Sequence, residues 1–182
     1  CAGGCSAQVK LRLNRTEVTG TKLRISISGL TGGHSGVEID KGRGNANVLM
    51  SRILRDAAEK AQIFIVSVEG GKKDNAIPRE CLSEIIVEED KAEAVKAAVE
   101  EAVNEIKEEF ATSDVTTELS DGCSVKAVTK EDSAKAVVLI QSLPNGIMRM
   151  SQDIDNLVET SLNLGIISLD ESGICLRFAL RS

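Results

Sequence analysis

The chain has 182 residues, of which 42% are hydrophobic and 2% aromatic, with no Trp or Tyr and a net charge of −6. That is enough apolar content to bury a core, in one large domain or two small ones. Interspersed charge with neither a basic stripe nor a stacking platform excludes a nucleic-acid interface, and no apolar run approaches the roughly 20 residues that cross a bilayer or forms a signal peptide.

Val9, Leu11 and Leu13 alternate with polar neighbours and predict an edge or linking strand within residues 1–22. Leu23, Ile25 and Ile27 alternate with Arg24, Ser26 and Ser28, so a half-buried strand runs into the turn GLTGGHSG. That turn presents His34, the single histidine of the sequence. The glycines around it, Gly32, Gly33 and Gly36, permit a partner to come close. A helix is expected over residues 45–60, with Leu49, Ile53, Leu54 and Ala57 as its buried stripe. The apolar run 63–68 predicts a strand buried on both faces or lying at an interface. GGKKDN makes a turn, Pro78 fixes the backbone after Asn75-Ala76-Ile77, and 82–87 is the next strand. Asp90 with Glu93 reads as a capping box for a helix burying Val95, Val99, Val103, Ile106 and Phe110. A short strand over 115–119 closes the unit.

This order, β-α-β-β-α-β, predicts an α+β fold of the ferredoxin-like split kind, an antiparallel sheet with helices on one face and the other face free. The theme then restarts as a partial second α/β repeat. A strand is expected over 125–128, then a helix capped by Thr129 with Asp132 that stops at Pro144-Asn145-Gly146. Strands over 158–169 and 174–181 follow, joined by a turn at Asp170 to Gly173. The expected organisation is a link over 1–22, a ferredoxin-like unit over 23–120 carrying His34 and Asn75, and an incomplete second unit over 121–182 carrying Arg181. The repeat lacks a helix and a strand, and the chain opens on Cys1, so excision from a longer protein is expected.

Three residues stand out for chemistry. His34 is displayed in a loop, where a lone histidine also serves as a solvated turn residue. Asn75 has an amide that donates and accepts, or that shapes its own loop as an Asx turn. Arg181 lies on the strand face opposite Ile174, Leu176, Phe178 and Leu180, where a guanidinium can hold a carboxylate bidentately. Arg177 shares that face and competes with it, and Asn163 is a rival to Asn75. Asp40, Asp74 and Glu80 read as turn and cap residues. The five cysteines, Cys1, Cys5, Cys81, Cys123 and Cys175, are scattered without a C-x-x-C pair. Neither a disulfide framework nor a structural zinc site is expected, and free thiols suit a cytoplasmic location.

The segments GLTGGHSGVEIDKGRGNANVL and GGKKDNAIPRE, with PNGIMRMS, LVETSLNLG and LRFALRS later, occur in the order found in one family. The chain resembles the lid domain of the aminoacyl-histidine dipeptidases, bacterial cytosolic non-specific dipeptidases that are zinc metallopeptidases related to carnosinase and the glutamate-type carboxypeptidases. The resemblance implies a lid that closes over a two-zinc site held in a separate catalytic domain, with dipeptides, including Xaa-His, as substrates and a homodimer formed through the lid. Matched residue by residue, His34 polarises the scissile carbonyl and stabilises the oxyanion, while Asn75 and Arg181 grip the substrate's C-terminal carboxylate. The resemblance assigns the metal ligands elsewhere: one histidine, with acids spread over amphipathic helices, cannot surround two zinc ions. The chain alone is therefore expected to be inactive. A reading of a different class is a stand-alone ferredoxin-like module that binds a small ligand or itself on the open sheet face.

Overall fold

The computed structural model describes residues 3–110 and 114–182, with the backbone alone described at 121–123. Cys1 and the side chain of Cys123 therefore lie outside the described residues.

Period-two alternation builds β2 (Arg15–Ser28), whose Leu23, Ile25 and Ile27 turn fully into the core. The expected split arrangement forms around it: α1 (Ala46–Lys60), β4 (Phe64–Gly70), β6 (Cys81–Val87), α2 (Ala92–Glu109) and β7 (Asp114–Val128). These strands lie in the order β4-β6-β2-β7, antiparallel throughout. The later elements, α3 (Lys130–Ser142), β8 (Gly146–Met150), β9 (Val158–Asp170) and β10 (Gly173–Arg181), extend the same sheet. β9 pairs with the free edge of β4, β10 pairs with β9, and β1 (Gly4–Arg12) closes on β10 along its whole length, so the order becomes β1-β10-β9-β4-β6-β2-β7. β8 pairs with the first half of β9 as a side branch. Two short strands, β3 (Gly33–His34) and β5 (Ala76–Ile77), form a miniature sheet of their own.

Helix α1 starts where Asn45 caps it, its side-chain oxygen accepting the N–H groups of Asn47 and Val48 at 3.0 and 3.3 Å. It packs against both α2 and α3. The predicted stripe is buried, and it meets Ile65 and Val68 of β4, Ile85 of β6, and Val95, Val99 and Ile106 of α2 in one continuous core. Leu164, Ile167, Leu176 and Phe178 carry that core across β9 and β10. Each such side chain contributes about 1.5–3 kcal/mol when fully removed from water. A polar tie fastens α3. Thr129 caps it as expected, and the Asp132 carboxylate accepts Lys135 Nζ at 2.7 Å and the backbone and side-chain N–H groups of Asn14 at 2.7 and 2.8 Å. Those donors, Lys135 first, hold the Asp132 carboxyl down at about 2.

Four expectations are corrected. Asp90 and Glu93 form no capping box: a 3-10 turn over Glu89–Lys91 precedes α2, no side chain caps it, and Asp90 pairs with Lys91 instead. Phe110 caps the C-terminal end of α2 and is only half-buried. Residues 115–119 and 125–128 belong to one strand, β7, because the long β2 pairs with it from Ser28 back to Arg15, with a single register shift between Gly20 and Lys22. Of the two alternatives for the 63–68 run, burial on both faces is not met. Ile63, Ile65 and Val68 enter the core, whereas Phe64 and Val66 are half-buried.

Candidate functional site

The GGHSG turn is shaped by its own backbone and by a neighbouring turn. β3 pairs with β5, placing His34 opposite Ala76 and Gly33 opposite Ile77, and Ser35 N–H donates to the carbonyl of Asn75 at 3.0 Å. The chain then coils, with Glu38 N–H returning to the His34 carbonyl at 3.0 Å. Inside that coil the Gly36 N–H donates to His34 Nδ1 at 3.0 Å. A ring nitrogen that accepts carries no proton, so this arrangement puts the proton on Nε2, which has no partner among the described residues.

Arg181, the last residue of β10, meets this histidine across Gly36. A methyl group at position 36 would fall 2.8 Å from the Arg181 guanidinium carbon and 2.9 Å from His34 Cε1. Glycine is required because both side chains pass over its α-carbon. The two residues line one cavity of about 380 Å³ together with Val37, Leu157 and Ser161. Arg181 Nε is buried and has no hydrogen-bond partner among the described residues. A buried, unpaired donor on a cation is unfavourable until an acceptor arrives, and a planar guanidinium suits a carboxylate.

The rivals separate cleanly. Arg177 is exposed and lines another groove, beside Gln8, Lys10 and Asp170. Asn163 is 1% exposed, and its Nδ2 donates to the carbonyls of Asp74 and Ala76, both at 2.8 Å. Its Oδ1 accepts Asn45 Nδ2 at 3.2 Å. Asn163 is therefore consumed in holding the 74–76 turn, and through β5 it steadies His34. Asn75 is exposed and next to that pairing, but its side chain does not line the His34–Arg181 cavity. Asp74 accepts Ser6 Oγ at 2.7 Å, and Asp40 pairs with Lys41 at 3.1 Å while lining the cavity.

Two residues at the site escaped the sequence reading. Glu38 Oε2 accepts the His34 N–H at 2.8 Å, and Glu38 Oε1 pairs with Arg43 at 2.7 Å. Arg43 in turn donates to the carbonyl of Gly32. The His34 backbone N–H first, and then Arg43, keep the Glu38 carboxyl below the usual carboxylate range. The signal available was an acid and a base on the two sides of the Gly42 turn, four and nine positions after the histidine. Among the described residues no group of three or more His, Cys, Asp or Glu comes together in a metal-binding arrangement, and no helix is long and apolar enough to cross a membrane.

A long antiparallel sheet with helices on one face, and a loop histidine and a strand-end arginine brought to one cavity, define a class that comparison with known proteins identifies. Residues 25–114 match the model of the peptidase dimerisation domain. Over its whole length it is 33% identical to a cytosol non-specific dipeptidase of Escherichia coli (strain K12), of which it spans 39%. The crystal structure of an aminoacylhistidine dipeptidase from Vibrio alginolyticus superposes on the full chain with a TM-score of 0.89 at 29% identity, the chain covering 38% of that protein.

Proposed function

We propose that this chain is the lid domain of a longer, zinc-dependent cytoplasmic dipeptidase that hydrolyses short unblocked peptides, including Xaa-His. The observation that carries the reading is the convergence of His34 and Arg181 on one cavity, each with an unpartnered donor. His34 Nε2–H donates to the scissile carbonyl oxygen as negative charge develops on it, a contact that strengthens in the transition state. Arg181 receives the C-terminal carboxylate, and the exposed Asn75 amide approaches the same carboxylate from the 74–76 turn when substrate is bound. Val37 and Leu157 add apolar surface to the cavity beside the pair.

Among the described residues nothing suits a two-zinc centre, since the single histidine is already engaged at Nδ1 and no three potential ligands come together. The remainder of the longer protein would hold the metal, which when bound supplies an activated water and a Lewis acid. The domain also joins two copies into a homodimer, in keeping with the name of the family model that residues 25–114 match. The test is dipeptidase activity with added zinc or manganese, measured for the 182-residue chain beside the longer protein that contains it. Turnover by the longer protein alone is the expected result, and turnover by the 182-residue chain itself would overturn the reading.

A further inference from the structure

Holding an imidazole in one tautomer and one direction requires the loop that carries it to be fixed, and a glycine-rich loop does not fix itself. Here the fixing is done by a charged clasp under the turn. Glu38 Oε2 accepts the His34 N–H, Glu38 Oε1 pairs with Arg43 Nη2, and Arg43 Nη1 reaches back to the Gly32 carbonyl. The clasp thus grips the backbone on both sides of Gly33. Gly33 has φ +150°, and a methyl group there would lie 2.7 Å from Glu38 Oε2 and closer still to Arg43 Nη1. The absence of a side chain at 33 is what lets the clasp close. Both clasp side chains are about one-quarter to one-third exposed, so the pair is sheltered from full solvent screening.

We infer that Glu38 and Arg43 are positioning residues for His34, holding the GGHSG turn in the coil that directs the Gly36 N–H onto Nδ1 and so reserves Nε2–H for the ligand. The inference rests on the role proposed for His34. Neither residue lines the His34–Arg181 cavity: Arg43 Nη1 and Nη2 turn to Gly32 and Glu38, and the Glu38 oxygens turn to Arg43 and the His34 N–H. The lowered carboxyl of Glu38 agrees, because the His34 N–H and Arg43 both favour its charged, accepting form.

The single histidine makes the test direct, since imidazole nitrogen NMR of the 182-residue chain reports on His34 alone. At a pH where the ring is neutral, the wild-type chain is expected to show one tautomer, with Nδ1 unprotonated and Nε2 protonated. Glu38→Ala is expected to lose this and show a tautomer mixture with a displaced His34 amide signal. Glu38→Gln, which keeps an acceptor for the His34 N–H, is expected to retain most of the wild-type pattern, with Arg43→Ala in between. A Glu38→Ala chain with the wild-type tautomer and His34 amide signal would overturn the inference. A second arm separates it from the reading on which it rests. In the longer dipeptidase, Glu38→Ala should lower kcat about 10- to 100-fold with little change in KM, the scale expected of a misplaced catalytic group. If Glu38→Ala disturbs the tautomer while His34→Ala leaves turnover intact, the clasp stands and the oxyanion role of His34 falls.

Discussion

Two polar clusters lie within a few residues of each other in this domain, and they are built on opposite terms. In one, Asn45, Asn145 and Asn163 interlock. Asn45 Nδ2 donates to Asn145 Oδ1, Asn163 Oδ1 and the Leu164 carbonyl, and Asn145 Oδ1 also accepts the Leu164 N–H. In the other, His34 and Arg181 are held by backbone and packing but keep donors without partners. The first cluster ties the start of α1, the β8 turn and the 74–76 turn to β9. The second faces a cavity. The asparagines of the first cluster satisfy one another, whereas the exposed His34 Nε2 and the buried Arg181 Nε are held in place without a partner among the described residues, the arrangement on which the proposed ligand contact rests.

The comparison breaks if the two clusters respond alike to truncation. The largest effect is expected at His34. In the longer dipeptidase, His34→Ala should reduce kcat by 10²–10³, about 2.7–4 kcal/mol of barrier, with the melting temperature unchanged. Asn163→Ala should do the reverse. It strips the carbonyls of Asp74 and Ala76 of their donor and should lower unfolding free energy by about 1–3 kcal/mol in denaturant titration, with turnover of the folded fraction less affected than by His34→Ala. A loss of turnover at Asn163 as large as at His34, without a stability loss, would erase the distinction.

A smaller effect sharpens it at a third polar group. The Asp132 carboxyl is lowered from 3.8 to about 2, by Lys135 and Asn14. Its folded value lies below its unfolded one, so the stabilisation is fully present above 3.8 and is lost as pH falls from there towards 2. Asp132→Asn should flatten the acid limb of stability in that window while leaving dipeptide hydrolysis at neutral pH unchanged. The check is urea unfolding of both proteins across that range.

How far these clusters were legible in the sequence follows from how local their signals are. The buried stripe of α1 and the alternation in β2 are written in a few neighbouring residues, and both formed as expected. The resemblance singled out His34 and Arg181, 147 positions apart, but no local pattern could say that Gly36 brings them together or that Arg177 lies in a different groove. Asn163 was a rival ligand residue in sequence because an asparagine side chain looks the same whether its amide is spent or available. Only the positions of the Asp74 and Ala76 carbonyls decide it. The capping box at Asp90 failed for a related reason: Ser/Thr/Asp-x-x-Glu spacing is necessary for that motif, and the backbone of the preceding 3-10 turn overrode it. The clasp of Glu38 and Arg43 depends on a left-handed turn at Gly42, whose φ is +63°, folding the two charges onto each other.

The central claim, that the open donors of His34 and Arg181 serve one ligand with a free carboxylate, is tested most directly by substrate comparison. The measurement is kcat/KM of the longer dipeptidase for a dipeptide and for its C-terminal amide, in the wild-type enzyme and in Arg181→Ala. The account predicts that Arg181→Ala weakens the free dipeptide by about 1.5–3 kcal/mol, the range for a hydrogen bond to a charged group, and leaves the amide nearly unchanged. An equal loss on both substrates would contradict it.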